Sequence, residues 1–387
     1  MNHVTGVNTQ LDLIKEGTVQ AGQPVTNTQA APQQAQTVQQ EVAKVAEPAP
    51  VSQKPAVAAQ EKPSKYAGLD IGTMNIISAR QVGKNTEFKR IRDVFIDLTD
   101  DQVKMLKLSG DTSYVTKNDV CYVLGDDAQK IANIFGKKLR APMNKGVIAA
   151  GEIEAMEILK VMVGEVLGDA PEGGVCVVSS PGDPIDSGFD ALYHQAVVKD
   201  IVESYGWTVD TASEATAMVY SECADNNFTG LMISCGHGMV NISLVFKTIE
   251  TLKFSVARSG SWIDEQSAKV TGKTPSQMCA IKEKGIDLLK PVGREQSAIA
   301  VYYKHLIGYV IKNFIEKFRE LQGNIELPDD IPCVIAGGTS MPKGFVDLVK
   351  QEIEKNKGFP FPVSEVRHAK DPLNSIAKGL LVMAQNS

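Results

Sequence analysis

Three short motifs, each a strand running into a glycine turn, carry the polar residues able to do chemistry. In Gly68-Leu69-Asp70-Ile71-Gly72-Thr73-Met74-Asn75-Ile76-Ile77-Ser78 a strand ends in an acid, turns tightly at Gly72, and exposes the amides of Thr73, Met74 and Asn75 before a second strand begins. Such a hairpin cradles phosphate with N–H groups, and Asp70 is placed to meet a hydrated Mg2+. Alone, the pattern serves an ordinary hairpin as readily as a phosphate site. Leu231-Met232-Ile233-Ser234-Cys235-Gly236-His237-Gly238-Met239-Val240-Asn241-Ile242 repeats the strand, glycine turn, strand shape. Two such hairpins far apart suggest a duplicated fold that grips one polyphosphate between its halves. The third motif, Cys333-Val334-Ile335-Ala336-Gly337-Gly338-Thr339-Ser340-Met341-Pro342-Lys343-Gly344, ends a strand in paired glycines, which let backbone approach a flat ligand closely, a purine ring being the natural candidate. Each motif is weak separately; in this order they are strong.

The elements that must position these motifs are short apolar strands alternating with longer helical patterns from Lys65 onward. Strands are expected over Tyr66 to Ile71, Cys176 to Ser179, Leu231 to Cys235, Ile242 to Phe246 and Cys333 to Ala336, several of them near-continuous apolar runs of the kind covered on both faces. Helices are expected over Glu152 to Leu167, Phe189 to Tyr205 and Ser297 to Leu321, where Ile299, Tyr302, Tyr303, Leu306, Val310, Phe314 and Phe318 recur at helical spacing. The fold class is α/β with mixed sheets. Residues 1 to about 64 are rich in Gln, Ala, Pro, Val and Thr and read as a disordered arm, because they cannot bury enough apolar surface to offset their ordering entropy. Within the arm, Thr9 to Gly17 reads as a frayed turn or a docking peptide.

At 387 residues the chain has room for two domains. Charged residues make up 22% and hydrophobic ones 43%, with a net charge of −6 and a pI near 5.6, which describes a soluble acidic globule and disfavours nucleic acid as a partner. The six cysteines stand singly, without Cys-x-x-Cys or a His near enough in sequence to suggest a zinc ligand set, and read as reduced core residues of a cytosolic protein. No basic, then apolar leader opens the chain and no stretch of ~18 apolar residues occurs, so export and membrane spanning are not expected.

The three motifs in their order resemble the superfamily of actins, heat-shock chaperones and sugar kinases, and within it the bacterial actins. Gly68 to Asn75 is similar to the opening of MreB, and Arg140-Ala141-Pro142-Met143-Asn144-Lys145-Gly146-Val147-Ile148-Ala149 resembles the stretch that separates MreB-like proteins from sugar kinases and chaperones. Ser261-Trp262-Ile263-Asp264-Glu265 and Met278-Cys279-Ala280-Ile281-Lys282-Glu283-Lys284 are most similar to the MamK magnetosome filament proteins. The resemblance spans about 65 to 387. It implies an actin-like duplicated fold with two lobes around a nucleotide cleft: lobe I over 65–180, with a small subdomain about 92–140, and a connecting helix with lobe II over 181–387. It implies ATP or GTP with Mg2+ as cofactors. Asp70 would hold the metal through water; Gly72, Thr73, Met74, Asn75, Gly236, His237 and Gly238 would take the phosphates. Glu214 would orient the attacking water, or serve merely as a helix-start carboxylate. Lys282 and Glu283 would hold ribose and purine, or form a surface ion pair within a helix. Gly337, Gly338, Thr339 and Met341 would line the adenine.

The chain departs from the family pattern at Ser234, where members carry an acid, at Met239, usually Thr, and at His237, usually small. A hydroxyl cannot supply a full negative charge, so Mg2+ or water positioning should be weaker and slow hydrolysis less assured than binding. His237 could compensate by donating to a phosphate, or be incidental. The leading reading is a nucleotide-dependent cytoplasmic filament of this chain with itself, positioning or scaffolding a cellular structure such as a magnetosome, with an adaptor partner reached through the arm. The rival is a non-polymerising adaptor on the same fold with weak or no hydrolysis. A small-molecule kinase is disfavoured because the chain is short for two kinase domains with a sugar pocket, and a chaperone because nothing follows the C-terminal Gly379-Leu380-Leu381 helix.

Overall fold

The apolar runs read as strands lie at the centres of two five-stranded sheets in a computed structural model that describes residues 63–109, 114–117, 119–188, 191–321 and 331–387. The chain begins with β1 (Pro63–Ile71), β2 (Asn75–Val82) and β3 (Asn85–Arg92). A small three-stranded sheet follows, built from β4 (Phe95–Leu98), β5 (Tyr114–Lys117) and β6 (Val120–Leu124), with α1 (Asp100–Ser109) and α2 (Gly125–Phe135). The short hairpin of β7 (Met143–Asn144) and β8 (Val147–Ile148) leads to α3 (Ala155–Leu167), β9 (Val175–Ser180), α4 (Ala191–Glu203), β10 (Thr208–Ser213) and α5 (Glu214–Glu222). Next come β11 (Gly230–Cys235), β12 (Val240–Phe246), β13 (Ile249–Val256), α6 (Gly260–Thr271), α7 (Pro275–Glu283) and α8 (Gly293–Glu320). The chain closes with β14 (Ile331–Ala336), α9 (Phe345–Lys355), β15 (Val363–His368) and α10 (Ser375–Gln385). The expected arm and its Thr9 to Gly17 peptide lie outside the described residues, except for the last two arm residues, which open β1.

The two large sheets are the same design twice. The first has the order β3-β2-β1-β9-β10 and the second β13-β12-β11-β14-β15. In each, three strands form an antiparallel meander and two more continue in parallel on the other side of its first strand. The parallel central strands are buried on both faces, which is why they read as unbroken apolar runs rather than alternating ones. The first sheet packs on α3 and α4 through Leu159, Met162, Val163, Val198 and Val202, the second on α6, α8 and α9 through Ile263, Tyr303, Leu306, Val310 and Phe345.

The helices that end the two halves are crossed. Although α5 follows the first sheet it packs on β11 and β12, whereas α10 follows the second sheet and packs on β1, β2 and β9. Two glycines make this interlock possible. A Cβ on Gly379 of α10 would lie 1.8 Å from the Ala217 carbonyl oxygen of α5, and one on Gly68 of β1 would lie 2.2 Å from the Ala377 carbonyl oxygen of α10.

Two helix starts differ from expectation for local reasons. Glu152 and Glu154 both ion-pair with Arg140, holding the chain in a turn that delays α3 to Ala155. Helix α8 begins four residues before Ser297, whose hydroxyl donates back to the Gly293 carbonyl at 2.6 Å and so sits inside the first turn. No helix among the described residues is long and apolar enough to cross a membrane.

Candidate functional site

The β1–β2 and β11–β12 hairpins close with one and the same turn. Gly72 N donates to Asn75 O at 3.0 Å and Gly236 N to Met239 O at 2.9 Å. Strand register then places Ser234, Gly236 and His237 as the counterparts of Asp70, Gly72 and Thr73, since Asp70 pairs with Ile77 as Ser234 pairs with Asn241. The departure at Ser234 is therefore visible inside the chain itself. The turns face each other: a Cβ on Gly238 would lie 2.2 Å from Thr73 Oγ1, which accepts from Gly146 N at 2.8 Å. Met239 fills the space over Gly146, where a Cβ would meet its Cγ at 2.6 Å. Bare backbone at 146 and 238 lets three loops meet over one point.

Two carboxylates lie beneath that junction. Asp70 is 8% exposed and its Oδ1 is buried without a hydrogen-bond partner. Burial pushes its carboxyl up to about 6, against the pull of the Ser179 hydroxyl. Glu214 begins α5, where the side chain of Ser213 accepts from Thr216 N and caps the helix. Its Oε2 accepts from Ser234 Oγ at 3.1 Å and Asn241 Nδ2 at 2.9 Å. Burial first, and the Asp70 charge second, push its carboxyl up to about 8 in spite of those donors. Two acids driven up together, one with an orphaned oxygen, form a pocket whose charge calls for a cation, and oxygen donors of this kind suit Mg2+.

The far wall comes from α7, backed by α6, and from the end of β14. Lys282 and Glu283, neighbours on α7, turn to different partners rather than to each other. Lys282 Nζ lies 2.8 Å from Asp264 Oδ2 and donates to Gly260 O at 2.9 Å. Glu283 Oε1 accepts from Arg92 Nη2 at 2.9 Å, an ion pair that joins α7 to β3. Gly337 has φ +90°, and a Cβ there would lie 2.3 Å from Cys235 O, so the third motif is packed directly against the second. Thr339 Oγ1 reinforces the contact by donating to Gly236 O at 2.9 Å. Gly338 and Met341 complete this wall. The His237 imidazole stays neutral at physiological pH, because burial and then the charges of Lys282 and Arg92 push it down to about 4. Asp70, Gly72, Thr73, Met74, Asn75, Glu214, Ser234, Gly236, His237, Gly238, Lys282, Glu283, Gly337, Gly338, Thr339 and Met341 all line one cleft of about 1060 Å³.

Several lining residues escaped the sequence reading. Asn241 could have been found as the amide side chain in a strand that is apolar but for it and Ser243; its Oδ1 also accepts from Gly182 N at 2.9 Å, which fixes the amide that serves Glu214. Gly146 belongs to the stretch singled out for its resemblance but was not connected with a phosphate loop. Arg92 carries no local signal, since only the fold brings β3 opposite α7. Cys279 is also different from expectation: the other five cysteines are buried, whereas it is half-buried on the cleft wall.

Solved structures of similar fold include a MamK filament and MreB5 of Spiroplasma citri. A MamK double helical filament matches with a TM-score of 0.63 and 18% identity over 82% of this chain and 98% of that one. MreB5 of Spiroplasma citri bound to ADP matches with 0.60 and 16% identity over 83% and 96%. A non-polymerising MamK mutant bound to AMPPNP matches with 0.51 and 17% identity over 84% and 100%. These likenesses establish an actin-like fold. No curated protein sequence matches the chain. The Volactin family model matches residues 66–384, nearly all of the globule built around the duplicated sheets, and the chain accordingly belongs to the Volactin family.

Proposed function

We propose that this chain binds a Mg2+–nucleoside triphosphate in the cleft and uses it to control assembly into a cytoplasmic filament. The observation that carries the reading is the convergence of two register-equivalent glycine turns over the buried acids Asp70 and Glu214. Gly72 and Gly236 spend their amides closing the two turns, so those of Thr73, Met74 and Asn75 and of His237 and Gly238 would hold phosphates, and the orphaned Asp70 carboxylate would hold the metal through water. Mg2+ would supply the positive charge that phosphates and the two acids share. Glu214, held by Ser234 and Asn241, would orient a water and take its proton. Gly337, Gly338, Thr339 and Met341 would receive the base, and Lys282 and Glu283 the sugar. The structures of similar fold include a filament and proteins bound to ADP and AMPPNP, which supports both parts of the proposal.

A second reading rests on Ser234. With a hydroxyl where its counterpart hairpin has Asp70, the cleft would bind nucleotide while hydrolysing it weakly, as an adaptor requires. Calorimetry of Mg2+-ATP and Mg2+-GTP with wild type and Asp70→Ala tests the binding proposal. Tight binding that needs Mg2+ and is lost in Asp70→Ala is expected. Equal affinity in the two proteins, or no binding of either nucleotide, overturns it.

A further inference from the structure

His237 and Cys279 line the cleft and Asp264 lies buried behind them, a group of side chains that nucleotide binding leaves unused. His237 follows β11, Asp264 lies early in α6 and Cys279 lies in α7; one potential ligand atom from each falls within 4.8 Å of the other two. They are 27 and 15 residues apart in sequence, which is why no ligand spacing was legible there. An imidazole nitrogen, a carboxylate oxygen and a sulfur form the donor set of a borderline-soft dication. Hard Mg2+ is poorly served by sulfur, so this group differs in kind from the Asp70–Glu214 pair.

A second observation points the same way. Asp264 is 2% exposed, and its Oδ1 is buried with no hydrogen-bond partner. The charge is balanced by Lys282, whose Nζ lies 2.8 Å from Oδ2. Desolvated carboxylates of this kind pair with a cation or bind a metal. Zinc bonds of about 2.0–2.3 Å place tetrahedral donors roughly 3.3–3.8 Å apart, so side-chain rotations of about 1 Å would close the group around an ion.

We propose that His237, Asp264 and Cys279 form a binding site for a zinc-class dication, with water as the fourth ligand. As the metal–sulfur bond forms, the Cys279 S–H bond breaks and its proton leaves to solvent. The ion takes over from Lys282 as counter-charge to Asp264, and the ammonium swings free. The ion site stands whether or not the cleft takes a nucleotide.

Cobalt(II) titration of the purified full chain, free of nucleotide and Mg2+, tests the site. Co2+ is expected to produce a near-ultraviolet thiolate-to-cobalt charge-transfer band and the visible bands of four-coordinate cobalt, saturating at one equivalent and erased by Zn2+. Cys279→Ser should lose the charge-transfer band while keeping the wild-type circular dichroism spectrum. Should that variant fail to fold, His237→Asn provides the second case, with cobalt affinity reduced at least tenfold. Lys282→Met should tighten cobalt binding by about tenfold or more, because a competing positive charge is removed. No charge-transfer band in wild type, or a band that survives Cys279→Ser, overturns the site; unchanged affinity in Lys282→Met overturns the displacement of Lys282.

Discussion

Replacing Glu214 by Gln should stabilise the nucleotide-free protein, and by an amount that grows with pH. The Glu214 carboxyl is displaced from an ordinary 4.5 to about 8 by burial and by Asp70. Below its ordinary value the group is protonated in both folded and unfolded chains and contributes nothing. As pH rises through 4.5 the unfolded chain ionises while the folded one keeps its proton, so stability falls until the folded group also ionises near 8. One pKa unit is worth about 1.4 kcal/mol, so the whole displacement would amount to roughly 4–5 kcal/mol. The acids titrate as a pair and the cleft is partly solvated, which reduces the share relieved by one substitution to about 2–3 kcal/mol. Gln keeps an oxygen to accept from Ser234 and Asn241, so no donor is orphaned. Urea denaturation in the presence of EDTA, at pH values of about 5 and about 8, measures the effect. The variant should exceed wild type by no more than about 1 kcal/mol at the lower pH and by about 2–3 kcal/mol at the higher. A variant less stable than wild type at the higher pH would refute the idea that these acids are held together against their mutual repulsion.

Gly238→Ala should weaken Mg2+-nucleotide binding at least tenfold and destabilise by about 2–3 kcal/mol, because its Cβ would lie 2.2 Å from Thr73 Oγ1; calorimetry and thermal melts read both, and wild-type behaviour would mean the turns do not meet. Ser234→Asp replaces the donor 3.1 Å from Glu214 Oε2 with a third acid. It should lower the melting temperature of the nucleotide-free protein by several degrees, corresponding to about 1–3 kcal/mol, and enlarge the upward shift given by Mg2+-ATP. Phosphate release by this variant should be faster if the missing carboxylate limits hydrolysis, and unchanged or slower release would mean that Met239 and His237 have reshaped the loop or that the protein does not rely on rapid hydrolysis. Gly68→Ala should destabilise by about 3 kcal/mol or more, since the new methyl would lie 2.2 Å from the Ala377 carbonyl oxygen; a melting temperature equal to wild type would contradict the close packing of α10 on β1.

What could be read in advance was local. A strand, an acid and a glycine turn occupy consecutive positions, so Asp70 and Gly72 can be singled out as candidates without knowledge of the fold, and repetition at Gly236 and Gly337 supplied the order. The equivalence of Ser234 with Asp70 was harder to see, since it needs the register of two sheets whose sequences differ while their hydrogen-bond patterns match. Residues that act through distant elements were silent. Arg92 meets Glu283 across 191 positions, and Cys279 acquires His237 and Asp264 only through the packing of α6 and α7 beside the β11–β12 turn. Helix ends were blurred where side chains intervened, as Arg140 does before α3. Periodicity reports which face is buried, and it carries no information about which neighbour a charge will find.

Sedimentation of the purified full chain with Mg2+-ATP, with Mg2+-ADP and without nucleotide, followed by electron microscopy of the pellets, addresses most directly whether the cleft controls assembly. Wild type should pellet as filaments with Mg2+-ATP and remain largely in the supernatant without nucleotide, while Asp70→Ala stays in the supernatant throughout. Calorimetric binding of Mg2+-ATP with no filaments under any condition would contradict the filament proposal and leave the adaptor reading in its place, and filaments formed equally with and without nucleotide, by wild type and Asp70→Ala alike, would separate assembly from the cleft altogether.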